Sequence, residues 1–202
     1  MADWEDKLSP RMRERLANIG DLSPEDRERM RTIEQRDSLL AQFHSGDIDS
    51  EGLWRQLREH KENGREYLLT EVQLKLIDSL GLETPQEEFQ KREECIIAIE
   101  TLKDVQNTST FEMSLNAIVG LQEAYRDEMQ QAYDQVKAEV EKNPQLRMQQ
   151  VRQGPTSMLT QLTVDEAVKS IPQWRSFVAN HEARYSQEFD KLITALKDTL
   201  RR

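Results

Sequence analysis

The sequence predicts an all-α protein: an elongated helical bundle with a long antiparallel helical hairpin and coiled-coil-like packing. Three observations carry that expectation. Glycine and proline are scarce, seven and six among 202 residues, whereas β proteins use both freely at turns. Capping residues mark helix starts and stops along most of the chain. Apolar residues recur every three or four positions over stretches of about thirty residues, the period of a helix face.

The first signals are Ser9-Pro10 and Ser23-Pro24-Glu25-Asp26, each a capping hydroxyl before a proline at the first helical position, where the missing N–H costs nothing. Gly20, Gly46, Gly64 and Gly81 follow periodic segments as left-handed C-terminal caps would. Together they predict helices near 10–19, 24–45, 50–63 and 65–80. Their apolar faces are modest: Met30, Ile33, Leu40 and Phe43, then Leu53, Trp54 and Leu57, then Leu69, Val72, Leu76 and Leu80. Helices this short are held by packing rather than by propensity, so they must cover one another or the helices downstream.

From Pro85 the helices lengthen, which places a domain boundary between an N-terminal short-helix region, 1–82, and a long-helix bundle, 83–202. The first long helix opens at Thr84-Pro85-Gln86-Glu87, runs for about 22 residues and carries Phe89, Ile96, Ile99, Leu102 and Val105. After Asn107-Thr108 a second opens at the capping box Ser109-Thr110-Phe111-Glu112 and continues to Lys142. Its apolar stripe, Phe111, Leu115, Ile118, Tyr125, Met129, Ala132, Val136 and Val140 with Gln122 in line, mixes three- and four-residue steps as a coiled coil does. So short a break folds the two helices into an antiparallel hairpin.

Residues 143–171 are the least regular. Gly154-Pro155 breaks them, and Leu146, Met148, Val151, Met158, Leu159 and Leu162 favour a short-helix cap over one end of the bundle rather than a mobile arm. Boxes at Thr163-Val164-Asp165-Glu166 and Ser170-Ile171-Pro172-Gln173 announce the last helices. The final one, from Pro172, shows Trp174, Val178, His181, Tyr185, Phe189, Leu192, Leu196 and Leu200. Four-, three- and four-residue steps give an eleven-residue period and a nearly straight stripe. This helix is expected to lie against the hairpin as a three-helix core.

Composition narrows function mainly by exclusion. The 38 acidic and 28 basic residues leave a net charge of −10, shared evenly between the two regions, so no basic face offers itself to phosphates. The arginines at 11, 13, 15, 27, 29 and 31 are interleaved with acids, which reads first as a solvated helix face. The acidic N-terminus lacks the basic start and apolar run of a signal peptide, and no window is long enough to span a membrane. A cytoplasmic protein without a membrane partner is the resulting expectation.

Chemistry-bearing motifs fail one by one. Glycines are too scattered for a phosphate loop. Ala41, Leu57 and Val178 stand three residues before His44, His60 and His181, where a di-iron bundle needs glutamates. Asp47-Ile48-Asp49-Ser50-Glu51-Gly52 imitates the opening of a calcium loop, but Arg58 occupies the position of the bidentate carboxylate, leaving an inter-helix turn capped by Ser50. Cys95 lies mid-helix beside Glu93 and Glu94, which blunt a thiol. No cofactor, metal or catalytic residue is expected. The segment Leu39–Leu57, with His44-Ser45-Gly46-Asp47-Ile48-Asp49 at its centre, is similar to the helical hairpin of SHOCT modules, which implies oligomerisation or tethering. It covers under a tenth of the chain and lacks the terminal leucine pair.

The expectation is therefore an interaction or structural protein, a scaffold or adaptor without catalytic activity, associating with itself as a homodimer or with another helical protein. Tyr125, Met129, Val136, Val140, Phe189, Leu192, Leu196 and Leu200 are the candidate seam residues, intramolecular or intermolecular. The alternative is a regulator contacting nucleic acid through the Arg-rich helices at 10–36.

Overall fold

The computed structural model describes residues 23–153 and 156–200. The expected helix at 10–19, Gly20, Gly154 and the arginines at 11, 13 and 15 lie outside them. The described residues form seven α-helices and one β-hairpin, so the all-α class holds. The chain divides into two compact units, Met1–Gln73 and Leu74–Arg202.

The first unit holds α1 (Pro24–Ser45), α2 (Ser50–Glu62) and the start of α3 (Tyr67–Asp78). Ser23 caps α1 by accepting the Asp26 N–H at 3.0 Å. Gly46 ends it at φ +80°, a left-handed conformation that frees the Gly46 and Asp47 amides to bond back to the Phe43 and Gln42 carbonyls. The cap of α2 is Asp49, not Ser50: its carboxylate accepts the Gly52 N–H at 2.8 Å and adds a negative charge where the helix dipole favours one. Asp47 accepts from the Ser45 hydroxyl at 2.6 Å, so both leading acids of the calcium-like stretch are occupied locally. Leu39, Leu40, Leu53, Leu57, Leu68, Leu69 and Val72 are buried. Met30 and Ile33, assigned to the same inward face of α1, are exposed at 48% and 38%.

The second unit continues with α4 (Gln86–Glu100), α5 (Thr108–Lys142), a 3-10 turn (Pro144–Arg147), strands β1 (Met148–Gln153) and β2 (Thr156–Gln161), α6 (Val164–Ser170) and α7 (Pro172–Leu200). Helix α4 ends earlier than its apolar spacing suggests, and Val105 stands exposed at 78%. The reason is Glu100. Its carboxylate is fully buried, accepts the Asn107 N–H at 2.9 Å and pairs with Lys103 at 2.8 Å, which holds residues 101–107 as a turn. The Ser109 box is accordingly unused; α5 begins at Thr108 without a side-chain cap. Thr84 likewise serves the preceding turn, accepting the Gly81 N–H at 2.8 Å. Only the Thr163–Glu166 box forms as the spacing predicts.

The short-helix cap expected over residues 143–171 is met in part: the 3-10 turn and α6 pack on the long helices, but a hairpin stands between them. These residues form the 3-10 turn, the antiparallel hairpin with Met148 opposite Gln161 and Gln153 opposite Thr156, and the short helix α6, whose Ala167 and Val168 are buried. The apolar residues stand three apart on one strand, Met148 and Val151, and side by side on the other, Met158 and Leu159, so neither shows the alternation that would have announced it. Helix α5 is the spine of the unit: at 1.5 Å per residue its 35 residues span about 52 Å. It contacts α4, α6 and, most extensively, α7. Among the described residues no helix is long and apolar enough to cross a membrane.

Candidate interaction surfaces

All eight candidate seam residues lie on α5 and α7. The two helices run antiparallel, with Tyr133 against Trp174 at 5.6 Å between ring centroids and Tyr125 against His181 at 5.0 Å. Tyr125, Val140, Phe189 and Leu196 are buried; Met129, Val136, Leu192 and Leu200 are half-buried. Val140 forms a cluster with Ala167, Val168 and Trp174, on which Met129 and Val136 pack. These side chains therefore meet partners within the chain. The α5 stripe read from spacing points inward throughout, and even its polar member fits: buried Gln122 donates to the Gly81 carbonyl at 2.7 Å.

Sequence reasoning missed Ile193, which is buried where Leu192 is only half-buried. The signal was present. From His181 the buried positions step by four through Tyr185 and Phe189 to Ile193 before a step of three to Leu196, so the stripe drifts round the helix in the sense opposite to that of a heptad.

Six rings line the seam: Tyr133, Trp174, Phe177, His181, Tyr125 and Tyr185, with neighbouring centroids 4.6–5.7 Å apart. His181 is buried and its Nε2–H donates to the Tyr125 carbonyl at 3.0 Å, while Nδ1 lies 3.6 Å from Glu128. Glu128 also pairs with Arg184. A hydrogen bond from the Tyr185 hydroxyl, then Arg184, holds the Glu128 carboxyl below the usual carboxylate range. Burial, followed by a 3.1 Å hydrogen bond to Glu83, pushes the Tyr125 phenol up to about 12. It thus stays protonated and donating. The polar groups at this seam are mutual partners, an arrangement that fixes register rather than presenting a reactive atom. A small open pocket beside it, 420 Å3, is lined by Leu82, Glu83, Tyr125, Glu182 and Ser186. Among the described residues no three His, Cys, Asp or Glu side chains converge to hold a metal ion.

A second surface lies in the first unit, between the N-terminal half of α1 and the start of α3. Its volume is 760 Å3, and Glu25, Glu28, Arg29, Thr32, Ile33 and Arg36 on one wall face Tyr67, Thr70 and Glu71 on the other. The walls are tied at two points: the Tyr67 hydroxyl donates to Glu28 at 2.9 Å, and Arg36 donates to Glu71 at 3.1 Å. Between these ties Ile33 and the Tyr67 ring remain open, with Met30 exposed nearby on α1.

A family model for a family of unknown function (DUF6657) matches residues 54–201, well over half of the chain. The chain belongs to DUF6657. The matched residues take in the whole α5/α7 seam and the hairpin; α1, which supplies one wall of the groove, precedes them. No curated protein and no solved structure matches the chain.

Proposed function

We propose that this DUF6657 protein is a non-catalytic interaction protein that associates with a second copy of itself through the α1/α3 groove. The observation that carries the reading is the exposure of Ile33 and Tyr67 at 38% and 41% in a cleft with a rim of both signs. A two-fold contact places a surface against itself, so it must be self-complementary. Glu25, Glu28 and Glu71 with Arg29 and Arg36 meet that requirement, whereas a rim of one sign would repel its copy. Association in the micromolar range is expected.

Sedimentation equilibrium at tens of micromolar tests this: the wild-type chain should be dimeric and Ile33→Glu monomeric with its helix content intact. A wild-type monomer at those concentrations would refute the reading. The same samples mixed with duplex DNA at low salt address the Arg-rich alternative, which requires binding that weakens steeply with added salt.

A further inference from the structure

The groove between α1 and α3 is as long as a short helix. Its α1 wall runs from Glu25 to Arg36, about 17 Å at 1.5 Å per residue. Residues 25–31 of α1 are each exposed, and Ile33 and the Tyr67 ring stay open between the walls. Ser23 caps α1, so the 22 residues that precede it, which lie outside the described ones, join the chain where the groove begins.

The sequence of that segment predicts a matching helix. Ser9-Pro10 opens it and Gly20 closes it, which gives 10–19 a length of about 15 Å. Met12, Leu16 and Ile19 follow steps of four and three and make one apolar stripe. At roughly 100° per residue, Arg11 and Arg15 flank the stripe on one side and Arg13 on the other, while Glu14 lies opposite Met12. So short a helix is marginal alone and needs its stripe covered.

Charge and connection both favour the groove as that cover. Glu25 and Glu28 on the α1 wall and Glu71 on the α3 wall outnumber Arg29 and Arg36, and Arg36 is already bonded to Asp37 and Glu71. A stripe flanked by arginines therefore meets glutamates on both walls. The connection 20–23 has the length of a turn between antiparallel helices. Counted equally from its two ends, Arg15 comes level with Glu28. A tether this short also gives the segment an effective concentration in the millimolar range, which a second copy in dilute solution does not reach.

We infer that residues 10–19 form an amphipathic helix that folds back within its own chain onto the α1/α3 groove, with Met12, Leu16 and Ile19 against Ile33 and the Tyr67 ring and the flanking arginines toward the glutamates. Its regulatory consequence rests on the reading of this groove as the self-association surface. The helix and a second copy compete for the same residues, so the fraction of molecules with an open groove scales the apparent dimer affinity.

Hydrogen exchange read by mass spectrometry on the full chain tests the fold-back. Amides of residues 11–19 should exchange at least about tenfold more slowly than those of an unstructured chain. The protection should be equal at about 1 µM and about 50 µM, because a contact within one chain does not depend on concentration. Leu16→Glu and Ile33→Glu should each abolish it, whereas Glu14→Gln, on the opposite side of the helix, should keep it. Three results would overturn the inference: unprotected amides in the wild-type chain, protection that survives Ile33→Glu, or protection found only at the higher concentration, which places the helix on a second copy. Sedimentation of the same chains reads the competition. Leu16→Glu should dimerise about tenfold more tightly than wild type, and equal affinities would remove the regulatory role. If both chains are monomeric at tens of micromolar while the wild type keeps its protection, the self-association reading fails and the fold-back stands.

Discussion

At the scale of single residues, two buried or half-buried glutamates act in opposite directions. Glu93 is half-buried on α4, and burial, then the neighbouring charges of Glu94 and Glu112, raise its pKa above the usual carboxylate value. A group whose folded pKa is raised supports the fold below its unfolded pKa and loses that support as pH rises through the folded value. Glu93→Gln should therefore raise the melting temperature at pH 7 and leave it nearly unchanged at pH 3, a difference that calorimetry at both pH values will read. Glu100 is the converse, a buried carboxylate with Lys103 and the Asn107 amide as partners. Replacing it with alanine strands both and should cost roughly 3 kcal/mol, the lower end for breaking a buried pair, measured by urea unfolding.

At the scale of elements, α6 is seven residues long and depends on its cap. The Glu166 carboxyl is held below its usual value by the backbone N–H and hydroxyl of Thr163. Its contribution is present above the unfolded pKa and fades as pH falls through the depressed folded one. Amides of α6 should lose hydrogen-exchange protection between pH 5 and pH 3 sooner than those of α5, and Thr163→Ala should cost about 1 kcal/mol at neutral pH. On α7, Leu196→Ala should cost about 2–5 kcal/mol and half-buried Leu192→Ala clearly less. That contrast marks how far the elements were legible in the chain. Cap signals located α1 and α2 closely, and three-four spacing α5 and α7, because both signals are local. The early stop of α4 was hidden because it depends on a carboxylate seven residues from the amide it bonds. The hairpin was hidden because Gln, Thr and Ser on its strands carry no hydrophobic period, and Gly154-Pro155 breaks a helix as readily as it punctuates two strands.

At the scale of the whole molecule, sequence spacing found the residues of the seam but left open where their partners lie. Tyr125, Met129, Val136, Val140, Phe189 and Leu196 find cover inside the chain, which shifts the question of association to the groove. Its residues were legible in part: Ile33 was marked as apolar, but assigned to a buried face. The distinction needed α3, because only its Tyr67 and Glu71 turn that stretch of α1 into one wall of a cleft. Charge works against any copy-to-copy contact in a chain of net −10. Screening this general repulsion should tighten the dimer between roughly 10 and 150 mM salt, and sedimentation across that range will show whether the rim pairs or the net charge dominates.

The row of rings along α5 and α7 also equips the molecule with its own optical gauge. Tyr133 sits 5.6 Å from Trp174, close enough for the excited phenol to hand its energy to the indole before emitting. Native protein should glow in the tryptophan band even when illuminated for tyrosine, and prising the two helices apart should raise emission near the phenol wavelength, so opening of this helix pair contributes a signal that needs no label.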